Sequence, residues 1–446
     1  MSGRAFGIAA AVAAIALGTT LGLCVGHQRK PRVRDPRVEK AFVLAQRGEN
    51  DKALQILADY LATHPRDADA QTIAFLATWW QGTQLDDIKK KLVELPLRPP
   101  QRAMVNGVEL ITQRRDPEAI AFLTSADRET PNSVEILYAL GEAQWHGQHL
   151  TEGVATLERA FSLDPQWEMA LHHVLEFRLS RGETKELAPI EDKLRANDPA
   201  NAAALDCKIA ISNRDYAKAV ATAKAALADD TIEKIGELYL CLAQAQALTG
   251  DLANGTATAK TAFDLWPLEA QDKGGFAQYA EFFLYNNDLD GYLELTRGRR
   301  SSQRALAILL REPDLPVDEP QPEWPKSRMA PLGAATWMLQ QQVHHVDASA
   351  VIATYPEPEV RLWGEALAAE SAGDMPTAIA KLREALAVPA KGDIRMLLAH
   401  RLAKLLASTG DPAGAAAACD EVIRPRFYLN YRAILLPDCL TLSGHR

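Results

Sequence analysis

Histidines are the first candidate functional residues of this chain. A neutral imidazole binds metal ions, and a charged one pairs with carboxylates. Three close groupings occur: His146 with His149, His172 with His173, and His344 with His345. A metal site needs carboxylate or thiolate ligands that converge with the imidazoles. The spacing of the first grouping crosses a turn between two predicted helices rather than following one helical face. The sequence therefore predicts no metal site and no bound cofactor.

Cysteine is the second residue type to consider, and the chain has Cys24, Cys207, Cys241, Cys419 and Cys439. None forms a Cys-x-x-Cys pair, so zinc ribbons and thioredoxin-type redox sites lack their ligands. Cys207 and Cys241 occupy equivalent positions in successive units of the helical pattern described below. Neighbouring helix axes lie about 10 Å apart, which places such residues beyond disulfide reach. Both are therefore expected to be small buried residues.

Other chemical motifs are missing from the sequence. It contains no glycine-rich phosphate loop, no Gly-x-Ser-x-Gly elbow and no His-Glu-x-x-His helix. The net charge is −9, and basic residues concentrate near the amino terminus, whereas a nucleic-acid-binding domain carries clustered Lys and Arg on its folded surface. The sequence predicts neither catalysis nor a nucleic-acid partner.

The elements that position these residues are predicted to be helices. The stretch Pro131–Pro165 contains two short amphipathic segments joined by a tight turn, because apolar residues recur at spacings of three and four. The first segment carries Leu137, Leu140, Gly141 and Trp145, and the second carries Val154, Leu157, Ala160 and Phe161. Together with a composition rich in Ala and Leu, this pattern predicts an all-α protein.

A repeat is indicated by prolines that recur at intervals close to 34 residues or twice that value, at Pro65, Pro99, Pro131, Pro165, Pro199 and Pro267. Small residues also recur at equivalent positions, such as Gly141 and Ala243. This pattern resembles the tetratricopeptide repeat, a helix-turn-helix unit of 34 residues. The resemblance implies an α-solenoid of antiparallel helix pairs.

The resemblance also implies a concave groove lined by the first helix of each unit, with a protein or peptide as its ligand. Tyr138 and Trp145 would be aromatic platforms in an acidic groove, which suits a partner with basic and apolar residues. The alternative, that the acidic residues only keep the surface soluble, is left open. The expected groove residues are Glu135, Tyr138, Glu142, Trp145, His146, His172, Glu176 and Asp206.

The amino-terminal segment Ala5–Gly26 has no charged residue. As a helix it would be about 33 Å long, enough to cross the roughly 30 Å core of a bilayer. We predict a single uncleaved transmembrane anchor; a signal peptide and lipidation at Cys24 are the alternatives, although Leu23 departs from the lipoprotein pattern. Basic residues follow the segment, which favours a cytoplasmic soluble part and leaves a periplasmic one open.

Within the predicted anchor, Gly18, Gly22 and Gly26 form two overlapping small-xxx-small steps. Such a face permits close packing of two membrane helices, so a homodimer is a possible arrangement. The alternative is that the glycines are merely part of a small-residue anchor.

These features predict the following organisation. Residues 1–27 are a membrane anchor or signal segment, and residues 28–37 are a basic juxtamembrane segment. Residues 38–310 form a tetratricopeptide-like array, in which residues 68–130 fit the repeat poorly. A proline-rich linker spans residues 311–332, and a second helical block spans residues 333–446.

The predicted function is that of a membrane-anchored bacterial scaffold that binds another protein through its groove. The alternative is a periplasm-facing assembly factor for an envelope, secretion or polysaccharide-export pathway.

Overall fold

The computed structural model describes residues 34–81, 92, 94–265, 276–286, 288–297, 307, 357–389, 392–426 and 432–444. Across these residues the regular structure is helical throughout, with twenty α-helices and two short 3₁₀ segments. None of these helices is long and apolar enough to cross a membrane. The predicted anchor, with Gly18, Gly22 and Gly26, lies outside the described residues and stays a prediction. The whole predicted proline-rich linker, residues 311–332, and the His344–His345 pair also lie outside the described residues.

The helices are numbered in chain order. The first ten are α1 Pro36–Gln46, α2 Asn50–Thr63, α3 Ala68–Trp80, α4 Pro99–Thr112, α5 Asp116–Glu129, α6 Val134–His146, α7 Leu150–Leu163, α8 Leu171–Arg181, α9 Ala188–Asn197 and α10 Pro199–Ser212. The next ten are α11 Tyr216–Ala228, α12 Gly236–Leu248, α13 Leu252–Leu265, α14 Phe276–Tyr285, α15 Leu289–Leu295, α16 Pro358–Ser371, α17 Met375–Ala387, α18 Gly392–Ser408, α19 Pro412–Ile423 and α20 Arg432–Leu442.

Tight turns of the same conformation join the helices of many pairs. In the α6–α7 pair the middle turn residue Gln148 has φ 68°, and the equivalent Gly250 of the α12–α13 pair has φ 87°. The residue after the middle position often caps the second helix, as where the Asp215 carboxylate accepts a hydrogen bond from the Lys218 N–H at 3.0 Å. Short turns and extensive side-by-side packing make the paired helices antiparallel. The predicted all-α array of antiparallel pairs is confirmed.

The α4–α5 pair lies in the region that sequence patterns marked as irregular. Pro99 begins α4, and Pro117 lies in the first turn of α5. Proline is well tolerated there, because the first amide groups of a helix have no partner within it. The sequence pattern places residues 68–130 within the array as a poor fit to the repeat and predicts no helix pair over residues 99–129, which the structure adds.

The helices of a pair cross most closely at glycine in the α6–α7 unit. A methyl group at Gly141 would lie 2.5 Å from Leu157 Cγ, and one at Gly153 would lie 2.9 Å from the Trp145 backbone nitrogen. These contacts leave no room for a Cβ atom. The predicted small residue at Gly141 is thus required by the crossing.

Two disulfides join the four cysteines of the described residues. Cys207 on α10 is bonded to Cys241 on α12, with 6.3 Å between their Cα atoms, and Cys419 is bonded to Cys439 with 5.2 Å. The prediction that Cys207 and Cys241 lie too far apart was wrong. The helices approach closely because small side chains, such as Ala203 and Ala245, lie in the same buried cluster as the two cysteines.

The first helix pair folds back onto the loops that join successive central units. Arg47 donates to the Asp198 carboxylate at 2.8 Å, and the Gln46 side chain accepts from the Met169 backbone N–H at 2.9 Å. The Phe42 ring meets Trp167 edge-on, with 5.6 Å between the ring centroids. One edge of the central units is therefore covered by the start of the array.

The carboxyl-terminal block covers the opposite edge, where the turns within the central units lie. Gln148 donates to Glu357 at 3.4 Å, and Arg214 forms an ion pair with Asp420. Arg426 donates to the Ser212 carbonyl at 3.0 Å. Both ends of the described array are thus fastened to its middle.

Candidate functional site

The candidate site is a group of five side chains on α6 and α8, which are the first helices of two successive units. Glu142 and His146 are one helical turn apart on α6, and His172, His173 and Glu176 lie on α8. We call these five residues the histidine–glutamate cluster. Four of its members, Glu142, His146, His172 and Glu176, were predicted groove residues, and the structure brings all four together around His173.

Glu142 lies at the centre of this cluster. Its Oε2 atom is 3.5 Å from His173 Nε2 and 3.7 Å from His146 Nε2. The Glu142 side chain is 8% exposed, compared with 15% for His173 and 29% for His146. A buried carboxylate therefore faces two imidazole nitrogens, one from its own helix and one from the next unit.

Aromatic packing fixes the orientation of the His173 ring. Trp145 stacks on it with 4.4 Å between ring centroids and an angle of 17°, and Phe177 meets Trp145 edge-on. On the far side of the His173 ring, Nδ1 is 3.9 Å from the Glu176 carboxylate, beyond hydrogen-bond distance. Stacking on Trp145 therefore orients the ring so that its Nε2 atom faces Glu142.

The protonation states of the pair follow from burial and mutual attraction. Burial is the largest single effect on both groups and disfavours their charged forms, but it is outweighed by the combined attraction of opposite charges within the cluster. The pKa of His173 is raised to about 9, and the pKa of Glu142 is held below its ordinary value. In the absence of a bound ligand, Glu142 and His173 form an ion pair at neutral pH.

The two predicted aromatic platforms are buried. Tyr138 is 1% exposed and Trp145 is 2% exposed. The Trp80 indole N–H donates to the Tyr138 hydroxyl at 2.9 Å, and the Trp167 ring lies 5.3 Å from the Tyr138 ring. Both aromatic side chains therefore join successive units, and their assignment to partner binding stays a prediction.

The remaining predicted groove residues contact other parts of the chain. Glu135 is buried and accepts hydrogen bonds from Arg98 at 3.1 Å and from the Ser133 hydroxyl at 2.9 Å. Asp206 is partly exposed and pairs with Arg195 at 3.0 Å. Neither residue is part of the histidine–glutamate cluster.

His173 is the member of the cluster that the repeat pattern missed. The family's groove positions assigned the neighbouring His172, and such positions hold only where the first helix of the unit is α-helical from its start. The segment Glu168–Ala170 is instead a 3₁₀ helix. Since a 3₁₀ helix advances about 120° per residue and an α-helix about 100°, three residues rotate the following side chains by roughly 60°. Trp167, which directly precedes the 3₁₀ segment, was the available signal.

Comparisons with known proteins add two distant solved structures. No protein-family model matches the chain, and no curated protein matches it. The crystal structure of the APC/C hetero-tetramer Cut9–Hcn1 has 14% identity and a TM-score of 0.37, over 92% of this chain and 82% of that chain. The structure of Naa15/Naa10 bound to HypK-THB has 11% identity and a TM-score of 0.26, over 92% of this chain and 64% of that chain. The fold assignment rests on the helix pairs themselves.

Proposed function

We propose that this protein is a non-catalytic scaffold that binds another protein through the face formed by the first helices of its central units. The observation that carries the proposal is the array itself, in which α6, α8, α10 and α12 present one continuous series of first helices. Arrays of this kind use an extended surface rather than a single pocket for binding. The part of this face around the histidine–glutamate cluster is the proposed contact region.

Charge indicates what kind of partner this face would accept. Glu176 and Asp206 supply partly exposed carboxylates, and the partly exposed Ile209, about one helical turn from Asp206, adds an apolar side chain. A segment with basic and apolar residues complements such a surface. Because Tyr138 and Trp145 are buried, the polar members of the face would make the direct contacts.

The disulfides support a location outside the cytoplasm. Structural disulfides persist in oxidising compartments and are rare in the reducing cytosol. Two pairs, Cys207–Cys241 and Cys419–Cys439, account for the four described cysteines. This arrangement favours the periplasm-facing assembly factor over the cytoplasmic scaffold. In this proposal Ala5–Gly26 anchors the chain, and the folded part faces the periplasm.

Location is tested with the full chain fused to alkaline phosphatase after Arg446. Phosphatase activity in intact cells supports a periplasmic soluble part. Thiol labelling of the denatured protein is a second measurement: Cys207, Cys241, Cys419 and Cys439 should react only after reduction. Free thiols at all four positions together with an inactive fusion would contradict the proposed location.

Binding is tested by photo-crosslinking in cells. A photoreactive residue at His172 or Asp206 should give a discrete crosslinked product, whereas one at the exposed Glu152 on α7 is the matched control. Equal labelling at all three positions, or no product at His172 and Asp206, would contradict the proposal that this face binds another protein.

A further inference from the structure

The histidine–glutamate cluster has the composition and spacing of a metal site. We propose that Glu142, His146 and His173 bind one divalent transition-metal ion of the zinc class. This inference departs from the sequence-based expectation of no metal and does not depend on the scaffold function.

The distances between the ligand atoms carry the inference. Zinc binds imidazole nitrogen and carboxylate oxygen at about 2.0 to 2.2 Å in a tetrahedral arrangement, which separates neighbouring ligand atoms by roughly 3.4 Å. Glu142 Oε2 lies 3.5 Å from His173 Nε2 and 3.7 Å from His146 Nε2. The three ligand atoms all lie within 4.8 Å of one another. An ion would therefore need only small side-chain movements to contact all three.

The ligand types agree with this assignment. Imidazole suits zinc, copper, nickel and iron, and a set of two histidines and one glutamate is a known zinc combination with one position left for water or another ligand. Glu142 and His146 are one turn apart on α6, so they reach toward the same point from one helical face. His173 comes from α8. The ion would consequently connect two successive units.

Residues next to the proposed ligands also resemble those around known metal sites, where they orient the ligand side chains. Trp145 stacks on the His173 ring and fixes its plane. The His173 Nδ1 atom is buried without a hydrogen bond and lies 3.9 Å from Glu176 Oε2. A carboxylate that approaches the second nitrogen of a metal-bound histidine fixes its tautomer and increases its basicity. Glu176 is in place for that role after a movement of less than 1 Å.

A second grouping competes for the same histidine. His172, His173 and Glu176 also bring three ligand atoms within 4.8 Å of one another. His172 is exposed, however, whereas Glu142 is buried and its Oε2 atom lies 3.5 Å from His173 Nε2. We therefore assign Glu142 and His146 as the partners of His173.

The experiment uses the full chain in detergent, stripped of metal with a chelator and titrated with zinc chloride in a calorimeter. One zinc ion should bind per chain. His146→Ala and His173→Ala should each weaken binding at least tenfold, and Glu142→Gln should do so with little change in side-chain volume. His149→Ala is the matched control, because His149 lies three residues from His146 and outside both groupings; its affinity should equal that of the wild type.

Cobalt(II) spectroscopy of the wild-type chain provides a measurement that does not depend on the folding of any variant. A tetrahedral site gives intense visible absorption bands, which zinc should abolish on displacement. The proposal is overturned by wild-type zinc binding no tighter than that of the His146→Ala/His173→Ala double variant, or by the weak bands of six-coordinate cobalt. It is also overturned if His172→Ala, but not His146→Ala, removes binding.

Discussion

Arg47 and Asp198 are separated by 151 residues, yet the Arg47 guanidinium donates to the Asp198 carboxylate at 2.8 Å. Asp198 also accepts from the Asn201 backbone N–H at 3.0 Å, so one carboxylate both caps α10 and holds the first helix pair. The Asp198 side chain is 5% exposed and that of Arg47 is 32% exposed. Loss of the arginine would leave a buried carboxylate with a neutral partner only.

Arg47→Ala should therefore lower the free energy of unfolding by about 1 to 3 kcal/mol, the usual cost of an unpaired buried polar group. Urea unfolding followed by circular dichroism measures this change. Lys52→Ala on the neighbouring helix removes an exposed ion pair with Glu49 and should change stability by less than about 0.5 kcal/mol. Equal effects of the two substitutions would show that Arg47 does not fasten the first pair.

The disulfide between Cys207 and Cys241 closes a loop of 34 residues. In the chain-entropy model a loop of this length contributes about 3 to 4 kcal/mol to stability. A Cys207→Ser/Cys241→Ser variant should unfold at a lower temperature than the oxidised wild type. Reduction of the remaining disulfide should then change the variant less than reduction changes the wild type, and identical sensitivity to reductant would contradict the pairing.

Glu168 connects stability to pH. Its carboxylate accepts from the Asn201 side chain at 3.1 Å. Burial and the nearby Asp198 raise its pKa from 4.5 to about 7. The folded state therefore binds this proton more tightly than the unfolded state, so the stabilising effect is fully present below about pH 4.5 and is lost as the pH rises to about 7.

Glu168→Gln should accordingly raise the unfolding midpoint at pH 8 and have little effect at pH 5. The difference between the two pH values should be about 1 to 3 kcal/mol, since part of the side chain is solvated. Glu152→Gln, at an exposed position on α7, should leave the pH profile of the wild type unchanged. A Glu168→Gln variant with that same unchanged profile would contradict the assignment.

Gly141 and Gly153 allow a test of the helix crossing in the α6–α7 pair. Alanine normally stabilises a helix by about 1 kcal/mol relative to glycine. At Gly141 the new methyl group would overlap Leu157, so Gly141→Ala should destabilise the protein by about 1 to 3 kcal/mol. Thermal unfolding measures the sign as well as the size.

Leu157→Ala provides the control for this prediction. In that background the overlap with Leu157 is gone, and Gly141→Ala should become neutral or stabilising. Gly153→Ala should remain destabilising in both backgrounds, because its nearest atoms belong to the backbone of α6. Rescue of both glycines by Leu157→Ala would show that the backbones are less close than described.

Local structure was more predictable from the sequence than long-range contacts. The α6–α7 pair was predicted correctly, because its apolar spacing and its small residue at Gly141 are properties of a short stretch of chain. The α4–α5 pair was not predicted, because the Leu-Pro-Leu-Arg-Pro-Pro stretch at residues 95–100 does not fit the repeat consensus.

The candidate site was only partly predictable. Glu142 and His146 share one helical face and were found together, whereas His173 required the rotation introduced by the 3₁₀ segment before α8. The burial of Tyr138 depends on Trp80 and Trp167, which approach it from other units. Contacts such as Arg47 with Asp198 depend on how the whole array curves, and no local periodicity encodes that.

A stack of repeats whose two ends are free can change its superhelical pitch under a small force, since each unit contacts only its neighbours. In this protein the first pair is fastened to the central units on one edge, and the carboxyl-terminal block is fastened on the other. A change in superhelical pitch would strain the contacts at both edges, among them the ion pairs Arg47–Asp198 and Arg214–Asp420. Contacts on both edges therefore oppose a change in the curvature of the central units, whether or not a ligand is bound to their inner face.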